Sequence, residues 1–451
     1  MTPGARLQAA IELLAAIHSS ASPADRVSAA FFRSRRYMGG GDRRDVIDRA
    51  YRVLRSRAAL DWWIEKTQMA LPDRERARMI AALALMEGWS ADRIAGSFDG
   101  GQYRPAPLTA EERRLAQGLR GKPLTDPKQP LAVRLEFPDW LEPELASLYG
   151  EGLEREMAAL MTEAQTDLRA NTLKATREEA REALAAEHVT AEPTPLSPLG
   201  LRVAGRPNLA SLACFKSGLI EVQDEGSQLV ALLADARPGQ RVADFCAGAG
   251  GKTLAMAASM KNKGKLVASD VLVGRVERAA TRLNRAGVHN VERRGLTSER
   301  DPWVKRHAGT FDRVLLDAPC SGSGTWRRNP DAKWRLAPKD IEELIALQRR
   351  IRESAARLVK PRGRLIYATC SLLRRENQEQ VEWFLGANPG FHLLPVAEIW
   401  QEAVGSAPPE GALFEGPYLS LTPARNATDA FFLAVLEREP KPAAEPISSE
   451  A

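Results

Sequence analysis

The segment RVADFCAGAGGKT, residues 241 to 253, restricts the fold more than any other. A short apolar strand runs straight into Gly248, Gly250 and Gly251, and a helix follows from about Lys252. Glycines at such a corner let the backbone approach a ligand at the carboxyl edge of an open α/β sheet. The loop is not a GxxxxGKS/T phosphate cradle, because position 246 is a cysteine where that motif needs its first glycine. From about residue 211 onward, RVADF, KLVASD, FDRVLL, RLIYATC and FFLAVLE alternate with helical stretches. That alternation predicts an α/β class with a doubly wound, mostly parallel, Rossmann-like sheet. KLVASD ends at Asp270, at the spacing where a carboxylate receives ribose hydroxyls, so an adenosyl-type cofactor is expected. The loop alone does not separate NAD from S-adenosylmethionine.

The remainder of the 451 residues reads differently. LQAAIELLAAI, RRDVIDRAYRVLRSRAALDWWI and ARMIAALALME carry the i, i+3, i+4 rhythm of helices, and strand-like runs are absent from this part of the chain. An all-α bundle is expected over 1–125, with Asp42 as an N-cap candidate after MGGG. Its second long segment is rich in arginine, and Arg49 with Arg52, one turn apart, suit phosphates. The competing reading is a solvated face with Asp45 and Asp48 as local partners. Pro-rich joints bracket LRANTLKATREEAREALAAEHV, which gives a small α+β module over 126–210; the α/β domain then spans 211–437 and a disordered tail 438–451. Net charge of +6 and a pI near 9.2 are compatible with a polyanionic partner without requiring one. No run approaches the roughly 18 to 20 apolar residues of a membrane span, and the N-terminus reads as an amphipathic helix instead of a secretion signal.

Four cysteines, at 214, 246, 320 and 370, lie far apart with no CxxC pair and no histidine at ligand spacing. A disulfide framework or structural zinc site is therefore not expected, and a reducing cytoplasm is. Cys214 reads as a small hydrophobe. LLDAPCSGSGTW and LIYATCSLLRREN are another matter, since each is a strand that ends at a cysteine followed by serine. In a doubly wound sheet both deliver their last residues to the cofactor crevice, so Asp317, Cys320 and Cys370 are expected in one pocket. Two thiols beside a sulfonium methyl donor suit methylation at C5 of a pyrimidine. That carbon is a poor nucleophile until a thiolate adds at C6, and the C5 proton and the thiol must then leave. A free thiol has a pKa of roughly 8.5, so nearby positive charge such as Lys252 is needed to favour thiolate. A carboxyl such as Asp317 could hold the ring N3.

DFCAGAGGKT, DRVLLDAPCSGSGTWRRNPDAKW and YATCSLLRRENQEQVEWFL together resemble the successive motifs of the RNA cytosine-5 methyltransferases of the Sun, or RsmB, type. The likeness spans roughly residues 130 to 436, and the helical N-terminal part is similar to an RNA-binding domain of the NusB kind. The resemblance implies an S-adenosylmethionine-dependent enzyme acting on RNA, with small-subunit ribosomal RNA first among substrates and transfer or large-subunit RNA as alternatives. It implies Cys370 as the nucleophile, Cys320 as the thiol that assists release, and Asp317 and Lys252 near the target base and the methyl donor. Cys246, Ala247, Gly248, Ala249, Gly250, Gly251 and Lys252 match the cofactor loop, Asp270 the ribose contact and Arg275 a further contact. No metal is expected, and a monomer is.

Four positions depart from the pattern: Gly248-Ala249 replace an Ala-Pro pair, Leu296 stands where an acidic residue usually contacts adenine, and Ala430 replaces a glycine. Thr297, Ser298 or a backbone group are the candidate replacements at the adenine. Two rival classes follow. A catalytically idle RNA-binding assembly factor fits Leu296 but not the retained cysteines, and a nicotinamide oxidoreductase leaves the paired thiols unexplained. Finally, TWRRNPDAKWR, residues 325 to 335, interleaves Trp326 and Trp334 with Arg327, Arg328, Lys333 and Arg335. It reads either as an RNA contact, with rings stacking on unpaired bases, or as a loop packed against the sheet.

Overall fold

A computed structural model describes residues 1–205, 207–409 and 413–440. The chain divides into two compact units, Met1–Thr162 with Trp326–Leu336, and Glu163–Thr325 with the remainder from Ala337.

The first unit is all helix apart from its loops. Helices Pro3–Ser19, Gly40–Arg55, Arg57–Lys66, Arg74–Leu85 and Ala110–Leu119 enclose a core that includes Leu7, Leu13, Val46, Leu60, Trp63, Ile80, Leu83 and Leu115. Thr2, Asp73 and Thr109 cap three of these helices through side-chain oxygens, as short polar residues before an apolar run should. The first helix is less one-sided than its sequence suggests. Its small residues let it bury Ala5, Leu7, Ala9, Ala10, Ile11, Leu13, Leu14 and Ile17.

Several expectations change here. Asp42 is not an N-cap: the helix starts at Gly40 with Gly39 as the cap, and Asp42 sits in its first turn. Arg49 and Arg52 are engaged by Glu87, at 2.7 and 3.1 Å, so they are not free to hold phosphates. Helices also continue past residue 125, through Glu142–Tyr149 and Leu153–Met161. The loop Trp326–Leu336 belongs to this unit instead of the sheet-bearing one. Trp326 and Lys333 are wholly buried and Arg327 nearly so, which removes them as RNA contacts.

The second unit holds two sheets. Strands β1 (Thr166–Ala170), β2 (Ala191–Pro193), β3 (Gly200–Val203) and β4 (Ile220–Val222) form an antiparallel sheet in the order β2-β3-β1-β4. Helix Arg177–Ala186, held at its start by the Thr176–Glu179 capping box, packs Ala180 and Leu184 into the same core as Leu168, Leu201 and Ile220. The small module therefore extends beyond residue 210, because β4 pairs with β1. Cys214 lies in that core, and burial pushes its thiol up to about 12, as befits an inert hydrophobe.

The large sheet is built from β5 (Arg241–Asp244), β6 (Lys265–Asp270), β7 (Val291–Gly295), β8 (Phe311–Asp317), β9 (Val359–Thr369), β10 (Phe391–Leu394), β11 (Phe414–Glu415), β12 (Tyr418–Leu421) and β13 (Phe431–Arg438). Its order is β11-β12-β13-β9-β8-β5-β6-β7, with β10 also on β13. The strands from β7 to β9 are parallel, and β13 runs antiparallel to β9. Period-two alternation sorts the side chains into two cores. Val242, Leu266, Leu315, Ile366 and Leu433 face one side, while Ala243, Val267, Val314, Leu365 and Phe432 face the other. Helices cover both faces, so the sheet is doubly wound as expected. Arg438 ends β13 and so belongs to the domain; of the expected tail, residues 441–451 lie outside the described residues.

Candidate active site

Strand β5 lies between β6 and β8, and the chain leaves it toward β6 and β7 before returning on its other side at β8. The crevice beyond the carboxyl ends of β5 and β8 is therefore the switch point, where open α/β sheets place their ligands. The glycine loop occupies one lip of it. Gly250 caps helix Gly251–Ser259 with φ of +80°, and Gly248 has φ of +56°, both in the left-handed region that glycine tolerates. Gly248 stands where an alanine was expected. This loop thus makes its turn through glycine freedom, where the usual pattern relies on the stiffness of a proline at the next position. A side chain on Gly248 would put its Cβ 2.9 Å from the Arg275 guanidinium, so this arginine covers the loop directly.

Asp270, at the end of β6, accepts the Gly248 amide at 2.9 Å and the Leu272 amide at 2.8 Å. Loop and carboxylate are thereby fixed together. Ala247 and Ala249 complete the frame: the Ala247 amide donates to the Ser269 carbonyl at 2.9 Å, and the Ala249 carbonyl accepts from Arg282 at 2.9 Å. Val271, Leu272 and Val273 follow Asp270 and are each about half exposed, an apolar surface without a covering partner in the described residues. Burial pushes the Cys246 thiol well above the usual range, which makes it inert in the loop. Leu296 is buried with Val267 and Trp303 in the core, and its amide donates to the Asp270 carbonyl at 3.0 Å. The Thr297 hydroxyl donates to Asp301 at 3.0 Å, and the Ser298 hydroxyl accepts from the Arg300 amide. Both candidate side-chain substitutes at 297 and 298 are thus committed locally.

Lys252 joins the glycine loop to the next strand, since its Nζ lies 2.7 Å from Asp317 Oδ2 at the end of β8. Burial works against the Lys252 ammonium, but the Asp317 carboxylate outweighs it and raises the pKa, and the ammonium also feels Cys370. The two strands β8 and β9 are hydrogen-bonded neighbours, and Ala368 pairs with Asp317 in register. The chain beyond each strand end carries a thiol. Cys320 Sγ and Cys370 Sγ are 3.5 Å apart, both half-buried and both reduced. The hydrogen bond with Cys370, and then burial, push the Cys320 thiol well above the usual cysteine range. Two sulfurs at this distance share a proton, and the Lys252–Asp317 pair lies in the same crevice.

Glu376, wholly buried, holds the two thiol loops together; the sequence marked it only as part of the EN pair that follows ATCS and gave it no role. Its Oε1 accepts from the Ser321 amide at 2.9 Å and from Gln348 Nε2 at 3.0 Å. Its Oε2 accepts from the Ser321 and Ser371 hydroxyls, each at 2.5 Å. The serine after each cysteine thus has a use. The Gly324 amide adds a bond to the Cys370 carbonyl at 2.9 Å, and the Ala430 amide donates to the Gly324 carbonyl at 3.0 Å. A Cβ on Gly324 would fall 2.5 Å from the Ala430 methyl, so Ala430 fits only against glycine. Asp244, at the end of β5, was also missed. It is buried, accepts from the Thr253 hydroxyl at 2.6 Å, and is pushed by burial up to about 7.

Two family models match the chain. Residues 231–437 match the one described as 16S rRNA methyltransferase RsmB/F. Residues 137–210 match the ferredoxin-like domain of RsmF/B-like methyltransferases. A probable ribosomal RNA small subunit methyltransferase B from Synechocystis is 31% identical over 88% of this chain and 91% of its own length. The chain belongs to the RsmB/F family of 16S rRNA methyltransferases. A Bacillus subtilis protein of the same description is 33% identical over 70% of this chain and 69% of its own. Among solved structures, a methyltransferase homologue from Pyrococcus horikoshii is 29% identical, covers 68% of this chain and 97% of its own, and superposes with a TM-score of 0.58. The likeness of the N-terminal helices to a NusB-type domain rests on sequence alone. Among the described residues no helix is long and apolar enough to cross a membrane.

Proposed function

We propose that this family member is an S-adenosylmethionine-dependent RNA cytosine-5 methyltransferase whose substrate is 16S ribosomal RNA, working through a covalent adduct on Cys370. The observation that carries the reading is the 3.5 Å separation of the two sulfurs beyond neighbouring strand ends.

The crevice fits the cofactor. Asp270 retains lone pairs for ribose hydroxyls beside the two amides it already accepts. The half-exposed Val271 and Leu272 offer an apolar surface for a purine. Residues 246 to 252 and Arg275 would frame the rest, and the bound group supplies an electrophilic methyl.

The chain's own groups account for the remainder. Cys370 as thiolate adds to C6 of the cytosine, forming the Sγ–C6 bond. Asp317, partly open and 2.7 Å from Lys252 Nζ, would hold the base by donating a proton from its carboxyl group to N3, and that proton offsets the negative charge that builds on the ring as the thiolate adds. Once C5 carries the methyl, its proton passes to solvent water, the C–H electron pair restores the C5–C6 double bond, and the Sγ–C6 bond breaks with its electron pair returning to sulfur. Cys320, kept protonated, assists at the departing sulfur across 3.5 Å. The target base must leave its stack to enter the crevice, which favours a single-stranded or loosely structured segment. The test is transfer of labelled methyl from S-adenosylmethionine to 16S rRNA, with bisulfite mapping of rRNA and tRNA from a deletion strain. Label in 5-methylcytosine of 16S rRNA that disappears from the deletion strain is the expected result. Absence of both methyl transfer and cofactor binding would instead favour an idle assembly factor.

A further inference from the structure

We propose that the face of the helical unit carrying Tyr37 and Tyr103 is a platform for single-stranded RNA. Bases stack on the two rings, and phosphates lie on Arg33, Arg36 and Arg44. Tyr37 and Tyr103 are the two most exposed large apolar side chains among the described residues, at 71% and 75%. They line one groove of about 490 Å³, with Gln8 and Gln102 among its polar neighbours. Residues 33–44 carry five arginines against one aspartate. Arg35 is consumed by Glu12 at 3.0 Å, and Arg43 by the Met38 carbonyl at 2.9 Å. Arg33, Arg36 and Arg44 are exposed and, among the described residues, have no carboxylate partner. Three exposed arginines without a carboxylate partner, all within seven positions of Tyr37 in the chain, call for a polyanion with flat apolar faces, which single-stranded nucleic acid supplies and a folded protein surface rarely does.

The backbone supports the same occupant. Tyr103 holds φ of +61°, a left-handed conformation that costs a bulky residue energy and that its exposed ring does not repay by packing. Beside Tyr37, Gly40 and Gly41 have no heavy atom within 4 Å of where a side chain would sit, so a sugar-phosphate chain can lie against the main chain. Glu12 in the groove is already neutralised by Arg35.

The inference rests on the RNA reading above, and one titration separates the two. Binding of the full chain to short fluorescein-labelled oligoadenylate is followed by anisotropy across a salt series. Tyr37→Ala and Tyr103→Ala should each weaken binding about 5- to 100-fold, as loss of one stacked base does, while Tyr→Phe at either site restores it. Arg33→Gln, Arg36→Gln and Arg44→Gln combined should flatten the slope of log affinity against log salt by about 2, or roughly 0.7 for each phosphate no longer neutralised. Tyr103→Gly should lower affinity while leaving the thermal midpoint equal or higher, since glycine accepts that φ; a misfolded variant would lose both. Wild-type protein that binds oligoadenylate while the variants match it in affinity and slope overturns the platform and leaves the RNA reading standing, even where the variants lose a protein partner instead. Wild-type protein that does not bind any RNA overturns both.

Discussion

Replacing Glu376 tests whether the thiol pair is held together or merely happens to meet. Glu376→Ala removes the acceptor for one amide, one side-chain amide and two hydroxyls. The hydroxyls can turn to each other, since Ser321, Ser323 and Ser371 already lie 3.1 to 3.3 Å apart. Gln348 keeps the Pro319 carbonyl at 3.0 Å. The Ser321 amide has no such alternative. One stranded buried donor costs about 1–3 kcal/mol, and the lost remainder of the network and the cavity together add about as much again, for a total of about 2–6 kcal/mol. For a unit of this size that lowers the midpoint of its melting transition by roughly 3–10 °C. Glu376→Gln retains an acceptor at the Ser321 amide and presents its NH2 to hydroxyls that can accept, so it should cost about 1 kcal/mol. The functional readout is the rate at which a mild oxidant joins Cys320 to Cys370, measured by mass spectrometry below the melting range. It should fall several-fold in the alanine variant and recover in the glutamine variant. An alanine variant with unchanged melting and unchanged cross-linking would refute the idea that Glu376 sets the sulfur separation.

Cys370→Ala should abolish both turnover and the covalent link to RNA, whereas Cys320→Ala should accumulate a protein–RNA adduct visible on a denaturing gel; the reverse outcome would exchange the two roles. Lys252→Met removes the 2.7 Å partner of Asp317, so methyl transfer should fall at least about tenfold while cofactor-free melting changes little, and an undiminished transfer rate would refute that assignment. Asp244 carries a pKa raised from 3.8 to about 7, so the folded chain binds a proton that the unfolded chain releases. Its stabilising contribution is therefore full below about pH 4, falls as pH rises through about 7, and is flat above. Asp244→Asn, which cannot ionise, should gain up to about 4 kcal/mol over the wild type above pH 7 and little at pH 4, and urea melts at the two pH values give the difference directly.

The parallel core was legible because β5, β6, β8 and β9 are buried on both faces and read as apolar runs between helices. The thiol pair was legible because two strands with the same ending must share an edge once the winding is known. Strand β7, VERRG, is an edge strand with exposed charged residues, so apolar rhythm could not reveal it. The short strands β10 and β12 each pair with only one half of β13, and neither is long enough to establish a period. Glu376 and Asp244 lacked a signal of their own type: a carboxylate in a helical or strand end usually reads as solvated, and only the fold turns them inward. The arginines divide differently. Spacing left Arg49 and Arg52 open either as phosphate ligands or as locally paired residues; Asp45 on the same helix pairs with Arg49, and Glu87, just past the end of helix Arg74–Leu85, neutralises both, while exposed arginines without a carboxylate partner among the described residues lie at 33, 36 and 44. Trp326 and Lys333 were read in the context of the motif that precedes them, although the chain there has already left the catalytic unit.

That excursion has a consequence for how the protein is made. The helical unit is discontinuous: Arg335 donates to the Ile17 and Ser20 carbonyls, and Asp331 accepts the Ala24 amide, more than 300 positions apart in the chain. A nascent chain emerges N-terminal end first, so the first 162 residues leave the ribosome before the segment that supplies these bonds exists. The amino-terminal unit cannot complete its contacts until the second unit is about half synthesised. A fragment stopped at Thr162 would leave the Ile17 and Ser20 carbonyls and the Ala24 amide without these partners and Met161 without Lys333, so the unit is not a module that can be cut off and expected to close by itself.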